Sequence, residues 1–263
     1  DVVRSRGLGD VYKRQELLVK GYASPHGFQL KPSQVKSLQE ATIVFSIHES
    51  LETFLQRALS NVPDEVKQST VVESARIKLL PVREGGPWEG HDHGHHEKHS
   101  DHKDHAEHKG HDDHKGHDDH EDGDVHVWLT PQNAIKIVKA ITRDLSKVFP
   151  QNRSVYKANA RNYIKKLEKL DAEIKTQLKD IKTKPFIYFH DAFQYFETTY
   201  GLNGVGTISV EPDESPSPKR LSEIRKKIAE TNASCVFKEP QFSDRVVKAV
   251  SYTHLTLPTI QPV

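Results

Sequence analysis

One stretch in the middle of this chain has nothing to bury, and whatever folds must fold on either side of it. Between His91 and His120 lie twelve of the seventeen histidines, separated mostly by Asp, Glu, Lys and Gly. Lacking an apolar face, residues 89–124 are expected to form a disordered, solvated loop. The histidines are His91, His93, His95 and His96, and then every third position: His99, His102, His105, His108, His111, His114, His117 and His120. A spacing of three places the rings along one edge of an extended, polyproline-like chain. Neutral imidazole suits zinc, copper or nickel, and its ordinary pKa near ~6.5 leaves most rings able to ligate at neutral pH. These twelve residues are therefore a candidate secondary metal loop. A cloning tag or solubilising linker is the plain alternative, disfavoured because tags are usually terminal and uninterrupted.

The rest of the chain is ordinary enough to fold around this insertion. An apolar content of 35% with 29% charged residues suits one large core or two modest lobes. No stretch approaches the roughly 20 apolar residues of a membrane span. The net charge is +1, and no basic stripe with interleaved aromatics suggests nucleic acid. The lone Cys235 has no partner in the chain and reads as a small buried hydrophobe in a strand.

The two ends read differently. Asp10-Val11-Tyr12-Lys13-Arg14-Gln15 and Val250-Ser251-Tyr252-Thr253-His254-Leu255 can be encoded by opposite strands of one repeat. Such an inverted repeat resembles translated synthetic adaptor. Residues 1–15 and 250–263 are accordingly expected to be non-native, leaving a fragment incomplete at both ends, with any signal peptide lost.

Between those ends, strands alternate with helices. Leu17 to Val19 reads as a short strand, Pro32 to Glu40 as a helix, Thr42 to Ile47 as a buried strand and Leu51 to Leu59 as a second helix. After the loop, Val125 to Leu129 reads as a brief strand, and Thr130-Pro131 supplies a cap and a first-turn proline. The helix that follows is stopped by Pro150. A longer helical period runs from Tyr156 to Ile181, and Phe186 to His190 then opens a second alternating series. The expected fold is α/β, with two parallel-sheet lobes bridged by one long helix. Residues 16–149 form the N-terminal lobe, 150–184 the linking helix and 185–249 a partial C-terminal lobe.

Outside the loop and the end segment, four histidines remain. His26 lies in the turn Ser24-Pro25-His26-Gly27, His126 is expected on a strand, and His190 ends an apolar strand. The crevice at the carboxyl ends of parallel strands is where open α/β sheets bind ligands. Three imidazoles with water or a carboxylate as fourth ligand make a zinc geometry, so His26, His126 and His190 are the candidate primary ligands. Asp191 is a candidate to support a ring nitrogen or to cap the next helix. Glu52 is a second candidate supporting acid, although an exposed helix position explains it equally well. His48 reads as a spectator.

These residues also carry a family likeness. Gly21-Tyr22-Ala23-Ser24-Pro25-His26, Val125-His126-Val127-Trp128-Leu129-Thr130-Pro131, Phe189-His190-Asp191-Ala192-Phe193 and Val236-Phe237-Lys238-Glu239-Pro240-Gln241-Phe242, with the Asp/His-rich insertion, occur in one order. Together they resemble the zinc-binding protein of high-affinity zinc ABC importers, the ZnuA family of cluster A-I solute-binding proteins. The resemblance implies two lobes bridged by a rigid long helix, with Zn2+ held between them by His26, His126 and His190. It further implies a monomer, periplasmic or lipid-anchored outside the cell, that hands the ion to an ABC permease. It places Cys235 where some members carry a disulfide-forming cysteine.

Three functions follow from the residues. The leading one is a non-enzymatic carrier in which the cleft takes one zinc tightly and the loop gathers zinc weakly. A storage protein or metallochaperone working through the loop would bind many ions of similar affinity. A three-histidine zinc hydrolase would need a general base beside the metal, and no His-Glu-x-x-His helix is present.

Overall fold

The computed structural model describes residues 2–3, 15–83, 88, 123–209 and 216–251. All twelve loop histidines, and most of both end segments, lie outside these described residues. Elements in chain order are β1 (Val2–Val3), β2 (Gln15–Glu16), α1 (Pro32–Gln39), β3 (Ile43–Ser46), α2 (Thr53–Leu59), β4 (Lys67–Thr70), α3 (Val71–Ser74), β5 (Leu80–Pro81) and β6 (Gly123–Asp124). There follow α4 (Pro131–Val148), α5 (Arg153–Gln177), β7 (Pro185–His190), α6 (Gln194–Tyr200), β8 (Asn203–Ser209), α7 (Pro218–Thr231), β9 (Cys235–Phe237) and α8 (Asp244–Ser251).

In the first lobe the sheet order is β2-β1-β3-β4, with β3 and β4 parallel and β1 antiparallel to both its neighbours. The β-branched run of β3 supplies the core: Val44 packs with Leu18, Leu38, Ala41, Leu55 and Val66 from the helices and loops around it. Leu17 to Val19, expected as a strand, is not one. Leu18 is drawn into this core while its carbonyl accepts from Gln34 Nε2 of α1 at 2.7 Å, so a side chain takes the place of a ladder partner.

β5 and β6 pair antiparallel as a short stem, Leu80 opposite Asp124 and Pro81 opposite Gly123. This corrects the loop boundary, since Gly123 and Asp124 belong to the stem. Val125 to Leu129 is likewise not a strand. Val125 and Val127 are both buried, and the chain turns at once into α4. Thr130 Oγ1 accepts from the Gln132 N–H at 3.3 Å and Pro131 occupies the first turn, which starts α4 where its cap residues dictate.

A 3-10 turn, Pro150–Asn152, separates α4 from α5. The 25 residues of α5 make a rod of about 38 Å at 1.5 Å per residue. It packs along α4 and is tied to the second lobe where Tyr200 Oη donates to Asp171 at 3.0 Å.

The second lobe has sheet order β8-β7-β9, with both neighbours parallel to β7. Parallel strands are covered on both faces, and Phe186 to His190 is accordingly buried at every position. Ile187, Phe189 and Ile208 pack against Ile224 and Ile228 of α7 and Val247 and Val250 of α8. Val250, which begins the adaptor-like segment, is fully buried in this core. A third cluster joins the lobes: Val72, Ile77 and Val127 of the first meet Tyr195 of α6.

Candidate metal centre

Each of the three histidines is delivered by a different kind of structure. His26 stands in the turn after β2, its backbone N–H donating to Ser24 Oγ at 3.2 Å. Gly27 follows at φ 65°, a backbone that side-chain-bearing residues rarely adopt, and this reverses the chain just past the ring. His126 sits two residues beyond β6, where its backbone N–H donates to Asp124 Oδ1 at 2.9 Å. His190 is the last residue of β7, at the carboxyl end of a strand whose parallel neighbours lie on opposite sides. That point in an α/β sheet is a natural crevice.

The rings converge. One ligand atom from each of His26, His126 and His190 lies within 4.8 Å of the others. The Nε2 atoms of His26 and His126 are 3.4 Å apart. Two nitrogens bound to one tetrahedral zinc at ~2.05 Å stand roughly 3.3 Å apart, so this pair needs almost no adjustment to share an ion. Ring centroids are 5.4–5.9 Å from one another. His126 and His190 are 9% and 5% exposed, and His26, half-buried, closes the site from outside.

The electrostatics favour a neutral ring at His26. Burial, followed by the proximity of His126 and His190, holds the His26 imidazole down at a pKa of about 4. A neutral ring keeps a lone pair free for a cation.

Two carboxylates stand against ring nitrogens. Asp124 Oδ1 lies 2.8 Å from Nδ1 of His126. An ionised carboxylate only accepts, so the proton belongs on Nδ1 and the Nε2 lone pair faces the cleft. Glu239 faces His190 differently: its Oε1 lies against Nδ1 as a close ion-pair contact without hydrogen-bond geometry. Neither Glu239 oxygen has a hydrogen-bond donor among the described residues, and the side chain is buried. Asp124 is held in turn by Tyr195, whose Oη donates to the Asp124 carbonyl at 2.8 Å.

The other sequence candidates are placed elsewhere. Asp191 neither supports a ring nor caps α6: its carboxylate is taken by Arg83, and Phe193 occupies the cap position. Glu52 accepts from the backbone N–H groups of Ile47 and His48 at 2.6 and 3.2 Å, sealing the end of β3 instead of backing a histidine. Burial pushes its carboxyl above the usual range. His48 engages Ser50 through Nδ1 at 2.8 Å and is not part of the cluster. Cys235 is a half-buried free thiol in β9, away from the three ligand candidates. Asp124 and Glu239 were missed as supporting groups, although Asp124 precedes His126 by two residues and Glu239 lies within a motif already noted.

Known proteins share this architecture. The family model for zinc-uptake complex component A, periplasmic, matches residues 6–260. The chain is 41% identical over 244 residues to the high-affinity zinc uptake system protein ZnuA of Brucella abortus (strain 2308), which covers 90% of this chain and 73% of that relative. Among solved structures, a crystal structure of ZnuA superposes with a TM-score of 0.68 at 25% identity, over 90% of this chain and 77% of that one. Zn(II)-bound AdcA from Streptococcus pneumoniae does so with a TM-score of 0.64 at 27% identity, over 90% of this chain and 43% of its own. Matched over nearly its whole length by one family model, this chain belongs to the periplasmic zinc-uptake component A family.

Proposed function

We propose that this chain is a non-enzymatic carrier that captures one Zn2+ between its lobes and hands it to the membrane permease of an ABC importer, working outside the cytoplasmic membrane. The ion is cargo, held by Nε2 of His26, His126 and His190, with the fourth position left to water. The observation that carries this reading is the convergence of three buried or half-buried imidazoles from separate segments and both lobes. Three neutral nitrogens favour zinc over harder ions such as manganese, which prefer carboxylate oxygen. A hydrolase would need a free base beside the open position, whereas Asp124 and Glu239 are both engaged by ring nitrogens.

Calorimetry with a competing chelator tests the assignment. One tight zinc per chain is expected. His126→Ala or His190→Ala should weaken it by more than the ~10–100-fold typical of losing a supporting partner alone. Unchanged affinity in either folded variant overturns the proposed ligand set.

A further inference from the structure

Among the described residues an ionic tie, Arg83 with Asp191 and Glu197, crosses the seam between the lobes beside the three histidines. Arg83 follows β5 in the first lobe, and its guanidinium reaches two carboxylates of the second. Nε donates to Asp191 Oδ2 at 3.0 Å, a terminal nitrogen contacts Asp191 Oδ1, and the other donates to Glu197 Oε2 at 2.7 Å. The three side chains are only 15–16% exposed. The Trp88 ring covers the guanidinium at 3.6 Å from its central carbon. A planar fork that holds one carboxylate at two points and another at a third fixes both orientation and distance.

This tie is well placed to act on the cargo. Asp191 is the residue after His190, so movement of its carboxylate is passed to the ligand strand through a single peptide. Glu197 lies on α6, the helix whose Tyr195 accepts from Leu80 N at 3.0 Å and donates to the Asp124 carbonyl at 2.8 Å. Gln194 Nε2 adds a bond to the Pro81 carbonyl at 3.1 Å. Opening the cleft along this seam therefore requires Arg83 to leave both acids.

The physics of a buried ion cluster suits such a task. Desolvation offsets most of the attraction, so the closed state gains little net stability from the charges. Parting them while the seam stays dry is costly, and once water enters each charge is solvated again. A contact of this kind resists partial opening without over-stabilising the closed form.

We infer that Arg83, with Asp191 and Glu197, is an interlobe latch that governs how fast the bound ion leaves the cleft, a positioning device and not a ligand. The inference rests on the carrier reading above. Zn2+-loaded full-length chain is mixed in a stopped-flow instrument with excess chelating dye, and release is timed. Arg83→Ala should release zinc about tenfold faster with little change in association, as truncating a buried charge pair acts mainly on dissociation. Arg83→Lys, which keeps the charge and loses the fork, should fall between. Because lone buried acids can unfold a variant, the triple change Arg83→Met, Asp191→Asn, Glu197→Gln removes every charge at once and should also release faster. A folded triple variant with the unsubstituted release rate overturns the latch. If the unsubstituted chain has no tight zinc site, the carrier reading fails separately. The latch is then read from hydrogen exchange at the Leu80 amide, which donates to Tyr195 across the seam, in the metal-free proteins under conditions where exchange follows the opening rate: faster exchange in the triple variant supports it and equal exchange overturns it.

Discussion

Asp124 and Glu239 stand against two of the three nearby imidazoles, those of His126 and His190. Asp124 occupies Nδ1 of its ring and directs the other nitrogen inward. Asp124→Asn keeps the size and one acceptor but removes the charge, and zinc affinity by chelator competition is expected to drop about 10–100-fold. The depressed pKa of His26 has its own signature. From its ordinary value of 6.5 down to about 4, the unfolded chain binds a proton at this ring that the folded chain does not. The contribution of this ring to the stability of the metal-free protein should therefore be full above about 6.5, fall as pH drops towards about 4 and level off below it, so His26→Gln should flatten the pH dependence across that window in denaturant titrations at fixed pH. The three histidines were legible because so few lie outside the loop and because each sits by a turn or strand end. Glu239 was not, since it meets His190 through the register of β9 on β7: Tyr188 pairs with Phe237, which sets residue 239 opposite residue 190.

At the level of elements, the helices were easier to read than the strands. Caps and periodicity are local, so Thr130-Pro131 opened α4 where expected, and Ser217-Pro218 opens α7 in the same way, with Ser217 Oγ accepting from the Arg220 N–H at 3.1 Å. Thr130→Ala should lower the unfolding free energy by about 1 kcal/mol, seen as a reduced denaturant midpoint at unchanged slope. An unchanged midpoint would show that Pro131 and packing alone define this start. Leu17 to Val19 and Val125 to Leu129 were misread because an apolar run marks burial without specifying a ladder. In each, only some of the apolar side chains are buried, Leu18 in the first and Val125 and Val127 in the second, and the backbone bonds go elsewhere. The two-residue strands β5 and β6 are too short for any pattern, yet their stem presents both Arg83 and Asp124 to the second lobe.

Across the whole molecule, the described residues bring His26, His126 and His190 together from both lobes. Deleting residues 91–120 should leave one tight zinc per chain by calorimetry and remove only weaker binding. Loss of the tight site on that deletion would instead locate it in the loop. The histidine run, the helix starts and the long bridging helix could be read from residue order, because imidazole chemistry, capping and helical period act within a few positions. The supports for the rings and the Arg83 tie could not. Arg83 with Asp191 and Glu239 with His190 are remote along the chain, and they meet only after two lobes have packed and two parallel strands have taken their register.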